Sequence, residues 1–171
     1  MLKWVVAALI AALAAPTWAQ QWVEFRPAGA GYRIEFPGQP TPFTEDAGPA
    51  GRSVQMFGGE LELEGSKIYY SSAYNELRNP GANPDAQLDG ARDGAVRGNP
   101  GSTLRDERRL MIGGAPGRRL VIDVHSQKLV IVLLITVSGG RLYQVSWTGA
   151  PGRENEPNVN RFLNSFGFVA R

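Results

Sequence analysis

From Leu129 to Val137 the chain reads Leu-Val-Ile-Val-Leu-Leu-Ile-Thr-Val, nine residues with eight apolar side chains and no alternation. The run is far too short to cross a bilayer as a helix, which takes about 20 residues. A strand apolar on both faces needs something packed on each side, so this element belongs centrally in a sheet covered on two faces. Its neighbours read as a meander. Thr103 to Ile112 and Arg118 to His125 flank Gly113-Gly114-Ala115-Pro116-Gly117, Leu129 follows Ser126-Gln127-Lys128, and Arg141 to Trp147 follows Ser138-Gly139-Gly140. Short connections of this kind make antiparallel neighbours.

The first half is also strand-rich. Trp22 to Arg26 and Tyr32 to Phe36 lie on either side of Pro27-Ala28-Gly29-Ala30-Gly31, and Tyr32, Ile34 and Phe36 alternate with Arg33 and Glu35, giving one apolar and one charged face. Pro37 to Gly51, with four prolines and three glycines, reads as an exposed loop. Arg52 to Phe57 and Leu61 to Glu64 read as a hairpin turning at Gly58-Gly59, followed by a strand along which Ile68, Tyr70, Ser72 and Tyr74 alternate. Tyr69, Tyr70, Tyr74, Tyr143 and Trp147 are expected mainly in the core, since each buries about 150 to 250 Å².

Helical spacing enters twice. Leu88, Ala91 and Ala95 predict a helix from Asp85 to Val96 with Asn83 or Asp85 as N-cap, against a cost of about 1 kcal/mol each for Gly90 and Gly94. At the C-terminus Pro157 suits a first turn, and Val159, Phe162, Leu163 and Phe166 fall at i, i+3, i+4 and i+7. The expected class is α+β: a single-domain α/β/α sandwich with a mainly antiparallel sheet covered by helices.

The N-terminus changes where that domain is expected to work. Lys3 precedes a 12-residue apolar stretch from Trp4 to Ala15, and Thr17-Trp18-Ala19 offers small residues for signal peptidase, so residues 1–19 read as an export signal and 20–171 as the domain. The expected location is the periplasm or the extracellular space, with no stable membrane insertion after cleavage. No cysteine occurs, which excludes both a disulfide and a lipid-modified mature N-terminus. Without Lys3 the domain carries 17 basic against 16 acidic residues, a balance that argues against nucleic acid as a partner.

No catalytic, cofactor or metal constellation stands out. His125 is the only histidine and shares a strand face with Asp123, so an enzyme reading, hydrolase or metal-dependent, would centre on that pair. One histidine and no cysteine make a poor metal set, and no Gly-x-Ser-x-Gly elbow exists. Asp85, Asp89 and Asp93 repeat every fourth residue without the calcium-loop pattern, and mutual repulsion assigns them to a solvated helix face. Gly98 to Thr103 lacks a phosphate-loop lysine and reads as a turn. Arg105, Arg108 and Arg109, with Asp106 and Glu107 between them, form a charge-dense strand suited to an edge guarded against aggregation, and they are the candidate residues for docking an acidic partner or a glycan.

Several short motifs carry a resemblance. Gly31-Tyr32-Arg33-Ile34-Glu35-Phe36-Pro37-Gly38-Gln39-Pro40, Gly114-Ala115-Pro116-Gly117-Arg118, Arg141-Leu142-Tyr143 and Arg161-Phe162-Leu163-Asn164-Ser165-Phe166 make the chain resemble the PsbP-like α/β/α sandwich family. That family is named for an extrinsic photosystem II subunit and shared with a yeast protein that binds the Ran GTPase. The resemblance implies this fold and a binding or scaffolding habit, and it transfers no catalytic residue, manganese cluster or GTPase partner. The expected function is therefore a non-enzymatic exported binding or accessory module for an unknown protein or small ligand, with no cofactor. The alternatives are the Asp123–His125 enzyme and a small-ligand carrier using a cleft between sheet and helix. The intact mass of the exported protein is expected to match a chain beginning at Gln20, and a full-length, membrane-retained main product would contradict the signal-peptide reading.

Overall fold

The computed structural model describes residues 21–43, 54–63 and 65–169. The expected export signal at residues 1–19 lies outside them, as do Glu45, Asp46 and the start of the strand expected from Arg52.

Seven strands form one antiparallel sheet in the order β3 (Thr41–Phe43), β4 (Gln55–Leu63), β5 (Ser66–Glu76), β9 (Arg141–Gly149), β8 (Leu129–Ser138), β7 (Ala115–Val124), β6 (Ser102–Ile112). The apolar run thus lies inside the sheet, between β7 and β9. Its residues divide by parity. Val130, Val132 and Leu134 enter one hydrophobic cluster, and Leu133, Ile135 and Val137 enter another. The lack of alternation in the sequence therefore reflects two cores, one on each face.

Helix α1 (Pro84–Arg97) covers the second cluster through Leu88, Ala91 and Ala95. Asn83 is its N-cap, accepting a hydrogen bond from the Asp85 amide at 2.8 Å, and Pro84 occupies the first turn, where a missing N–H costs nothing. The opposite face carries a composite layer. Helix α2 (Pro157–Ser165) lies there beside a small sheet in the order β1 (Val23–Phe25), β2 (Tyr32–Phe36), β10 (Gly167–Phe168). Beneath it Phe162 and Trp147 are fully buried, and Phe162 stacks within 4.9 Å of Tyr70 and 5.2 Å of Phe36. Tyr32 is buried with its hydroxyl 2.8 Å from Ser72 Oγ, and loss of solvent pushes its pKa well above the tyrosine range.

Three expectations need correction. Gly58-Gly59 does not turn a hairpin: both residues lie within β4, which stays paired with β5 as far as Leu63 and Ser66. A Cβ on Gly58 would come within 2.4 Å of the Tyr70 carbonyl oxygen and 3.0 Å of the Phe43 ring, so close approach, not turning, requires glycine there. Thr41–Phe43, assigned to a loop, forms the edge strand β3 despite Pro42, in keeping with proline's tolerance at edges. Tyr69, expected in the core, is 41% exposed, because it lies on the half of the sheet that α1 does not reach. Strand β10 went unforeseen. Phe166 ends α2 in an extended conformation and delivers Gly167 and Phe168 to β2.

Phe162→Ala should cost roughly 3 to 5 kcal/mol in chemical denaturation, from lost burial and a residual cavity. Asn164, exposed on the same helix, should tolerate alanine within about 0.5 kcal/mol. Small and equal effects would mean that α2 is not docked.

Candidate functional site

Strand β6 forms one edge of the large sheet. Its register against β7 shifts between Leu104 and Asp106, a bulge that inserts Arg105 and re-aims its side chain. Arg105 reaches Asp123 of β7 at 3.3 Å and Glu154, in the loop before α2, at 2.9 Å. Arg108 pairs with Asp106 at 3.0 Å, and Arg109 meets Asp85 of α1 at 3.3 Å. The three arginines therefore divide between faces: Arg105 and Arg108 look toward α2, Arg109 toward α1.

Asp123 and His125 also separate. Asp123 is held by Arg105, whereas His125 leaves β7, starts a 3-10 turn and places Nε2 3.0 Å from Thr103 Oγ1 at an exposed position. The strand alternation that would keep the two on one face ends at Val124.

The carboxylate row on α1 keeps about half of each side chain in solvent, as a solvated face should, but it is also tied to arginines. Arg118 is 1% exposed, with Nη2 3.2 Å from both the Asp85 carbonyl and its carboxylate and Nη1 2.7 Å from Glu107, and it also binds Asp89. Arg92 joins the network through Asp89, Asp93 and Glu107. The like charges repel along the helix, but the row lies over strands that present Arg109 and Arg118, and that attraction decides its position. Burial opposes the Arg118 charge, yet the bonds to Asp89, Glu107 and Asp85 outweigh it and hold its pKa above the ordinary arginine value. The same hydrogen bond from Arg118 lowers the pKa of Asp89. Among the described residues no group of His, Asp and Glu is arranged to hold a metal ion.

On the other face, two adjoining cavities lie between the β6–β7 edge and α2. The larger, about 320 Å³, is bounded by Leu110, Leu134, Leu163 and Phe166 with Asn160 and Asn164 at its α2 side. The smaller, about 170 Å³, holds Arg105, Arg108, Glu154 and Asn155. Arg119 lines both. Arg119 is not among the residues that charge density along β6 singles out. Its signal was the Arg118-Arg119 doublet in an otherwise apolar strand, where alternation must send the two guanidinium groups to opposite faces.

This order of strands, with α1 on one face and α2 beside the β2 strand on the other, can be set against solved structures. The solution structure of cyanobacterial PsbP (CyanoP) from Synechocystis sp. PCC 6803 matches with a TM-score of 0.60 at 13% identity, over 91% of this chain and 96% of that one. The chain has the PsbP-like fold. A second example is PA94 from Pseudomonas aeruginosa, a protein of unknown function, with a TM-score of 0.54 at 16% identity over 88% of this chain and 97% of that one. No protein-family model and no curated protein matches the sequence. At these identities the likeness establishes the PsbP-like architecture alone. Among the described residues no helix is long and apolar enough to cross a membrane.

Arg118→Met should destabilise the protein by about 3 kcal/mol, because it strands carboxylates gathered around one buried cation. It should also flatten the acid limb of stability. Asp89 has a folded pKa below its unfolded value near 4, so its contribution is present above that pH and fades as the pH falls through the lower folded value. Denaturation midpoints from pH 2 to 6 test both effects, and an unchanged acid limb in the variant would refute the assignment.

Proposed function

We propose that this chain is a non-enzymatic binding or accessory module that works after export, in the periplasm or outside the cell, with residues 20–171 forming its one domain. The observation that carries this reading is the use made of charge along β6 and β7. The one pair suited to acid/base work is committed to separate contacts, Asp123 to Arg105 and His125 to Thr103. Arginines meanwhile line an open cleft and an exposed edge, with Arg108 and Arg109 more than 70% exposed. Exposed guanidinium groups on a sheet edge suit recognition of an acidic partner, which they attract over about 8 Å at physiological ionic strength. The likeness to CyanoP supports an architecture used by a protein with the PsbP name and supplies no partner.

Arg105, Arg108 and Arg109 remain the proposed docking residues, acting from two sides of one edge rather than as a single patch. Charge reversal at Arg108 and Arg109 should weaken partner capture from a periplasmic extract at least several-fold at low salt and less at high salt, while His125→Gln and Asp123→Asn leave the cellular phenotype intact. A phenotype abolished by His125→Gln in a normally folded protein would overturn this reading in favour of catalysis.

A further inference from the structure

Arg119 differs from every other arginine of the β6–β7 pair. Arg105, Arg108, Arg109 and Arg118 each have a carboxylate within ion-pair distance. Arg119 has no ion pair or hydrogen bond among the described residues, although it is half-buried. The nearby acids are already engaged. Asp106 pairs with Arg108, and Glu154 binds Arg105 and accepts the Gly152 amide at 2.7 Å. Desolvation and then the neighbouring Arg108 charge lower the pKa of Arg119, but an arginine stays protonated at neutral pH. Asp106 and Glu154 act on the Arg119 charge only at longer range, so its guanidinium keeps hydrogen-bond donors open to the cleft, where an anion could take them up.

The cleft limits which anion. On one side of Arg119 lie Leu110, Leu134, Leu163 and Phe166, and on the α2 side stands the amide of Asn164. On the other side Asp106 and Glu154 bring negative charge into the smaller cavity, which disfavours a doubly charged head such as phosphate. The volume of about 320 Å³ falls at the small end of ligand pockets. A planar carboxylate matches the guanidinium fork, and the apolar wall takes a hydrocarbon body.

We propose that the cleft between α2 and the β6–β7 edge binds a small amphiphilic monocarboxylate, with Arg119 clasping the carboxylate and Leu110, Leu134, Leu163 and Phe166 holding its apolar part. This inference deepens the binding-module reading and rests on it, since the site is one of capture and not of reaction. Bonding between Arg119 and the carboxylate gives orientation, and burial of the chain gives affinity.

The test uses octanoate as probe and the purified protein. Calorimetry should detect binding, and amide NMR shifts should gather at β6, β7 and α2. Arg119→Gln and Asn164→Asp should each weaken binding at least about tenfold, the first by removing the clasp and the second by placing a competing carboxylate in the cavity. Asn164 is exposed, so the second variant should keep the fold if the first does not. Arg97→Gln, at the far end of α1, should leave the affinity unchanged. 1-Octanol should bind at least about tenfold more weakly than octanoate. No octanoate binding, equal binding of octanol, or inorganic phosphate binding as tightly as octanoate would each overturn the assignment. The His125→Gln phenotype decides the module reading separately, because His125 lies outside the cleft.

Discussion

Strand β8 offers water nothing on either face between Leu129 and Ile135, and the architecture follows from that constraint. At about 25 cal/mol per Å² of apolar surface, leaving either face open would cost several kcal/mol. Strand β7 shares the demand, with Leu120 and Ile122 on one side and Val121 on the other. Two covers are needed, and the chain makes them from different materials. Leu88 and the small Ala91 and Ala95 let α1 approach closely on one side. On the other side Phe162, Phe36, Tyr32 and Tyr70 fill a thicker layer of rings. The flanks of the sheet are less apolar and less covered, and there the exposed Tyr69, Phe43 and charged β6 residues are found.

How far the sequence revealed this depended on whether a residue's role was local. Periodicity and capping are local, so α1 was legible from Leu88, Ala91 and Asn83, and α2 from Val159, Phe162 and Leu163. The double-faced burial of β8 was equally plain from its composition. Gly58-Gly59 misled because glycine answers two different needs, a turn and a close approach, and only the distant Phe43 and Tyr70 distinguish them. Strand β10 is two residues long and exists because β2 is beside it, so no pattern of its own could announce it.

Candidate site residues followed the same division. The charge density of β6 was visible, but its distribution over two faces depends on a bulge and on what lies above and below. Asp85, Asp89 and Asp93 read as mutually repelling and therefore solvated, a sound inference for an isolated helix. The row does stay about half exposed, but its ion pairs were not legible, because Arg109 and Arg118 arrive from strands more than 20 residues away in sequence. Electrostatic roles are set by partners that the one-dimensional pattern does not contain.

Arg118 and Arg119 show how much follows from the two-residue period of a strand. They are consecutive, chemically identical and both withdrawn from water to some degree, yet one faces α1 and the other α2. Arg118 meets three carboxylates through its Nη atoms and pins α1 to the sheet, so its charge is compensated within the fold although Nε is buried without a partner. Arg119 enters a cleft whose acids are paired with other arginines, so Asp106 and Glu154 offset its burial only at longer range and without an ion pair. This asymmetry between neighbours with one chemistry, an arginine ion-paired within the fold beside one without an ion pair in a cleft, is the ground for the proposal of a carboxylate at Arg119.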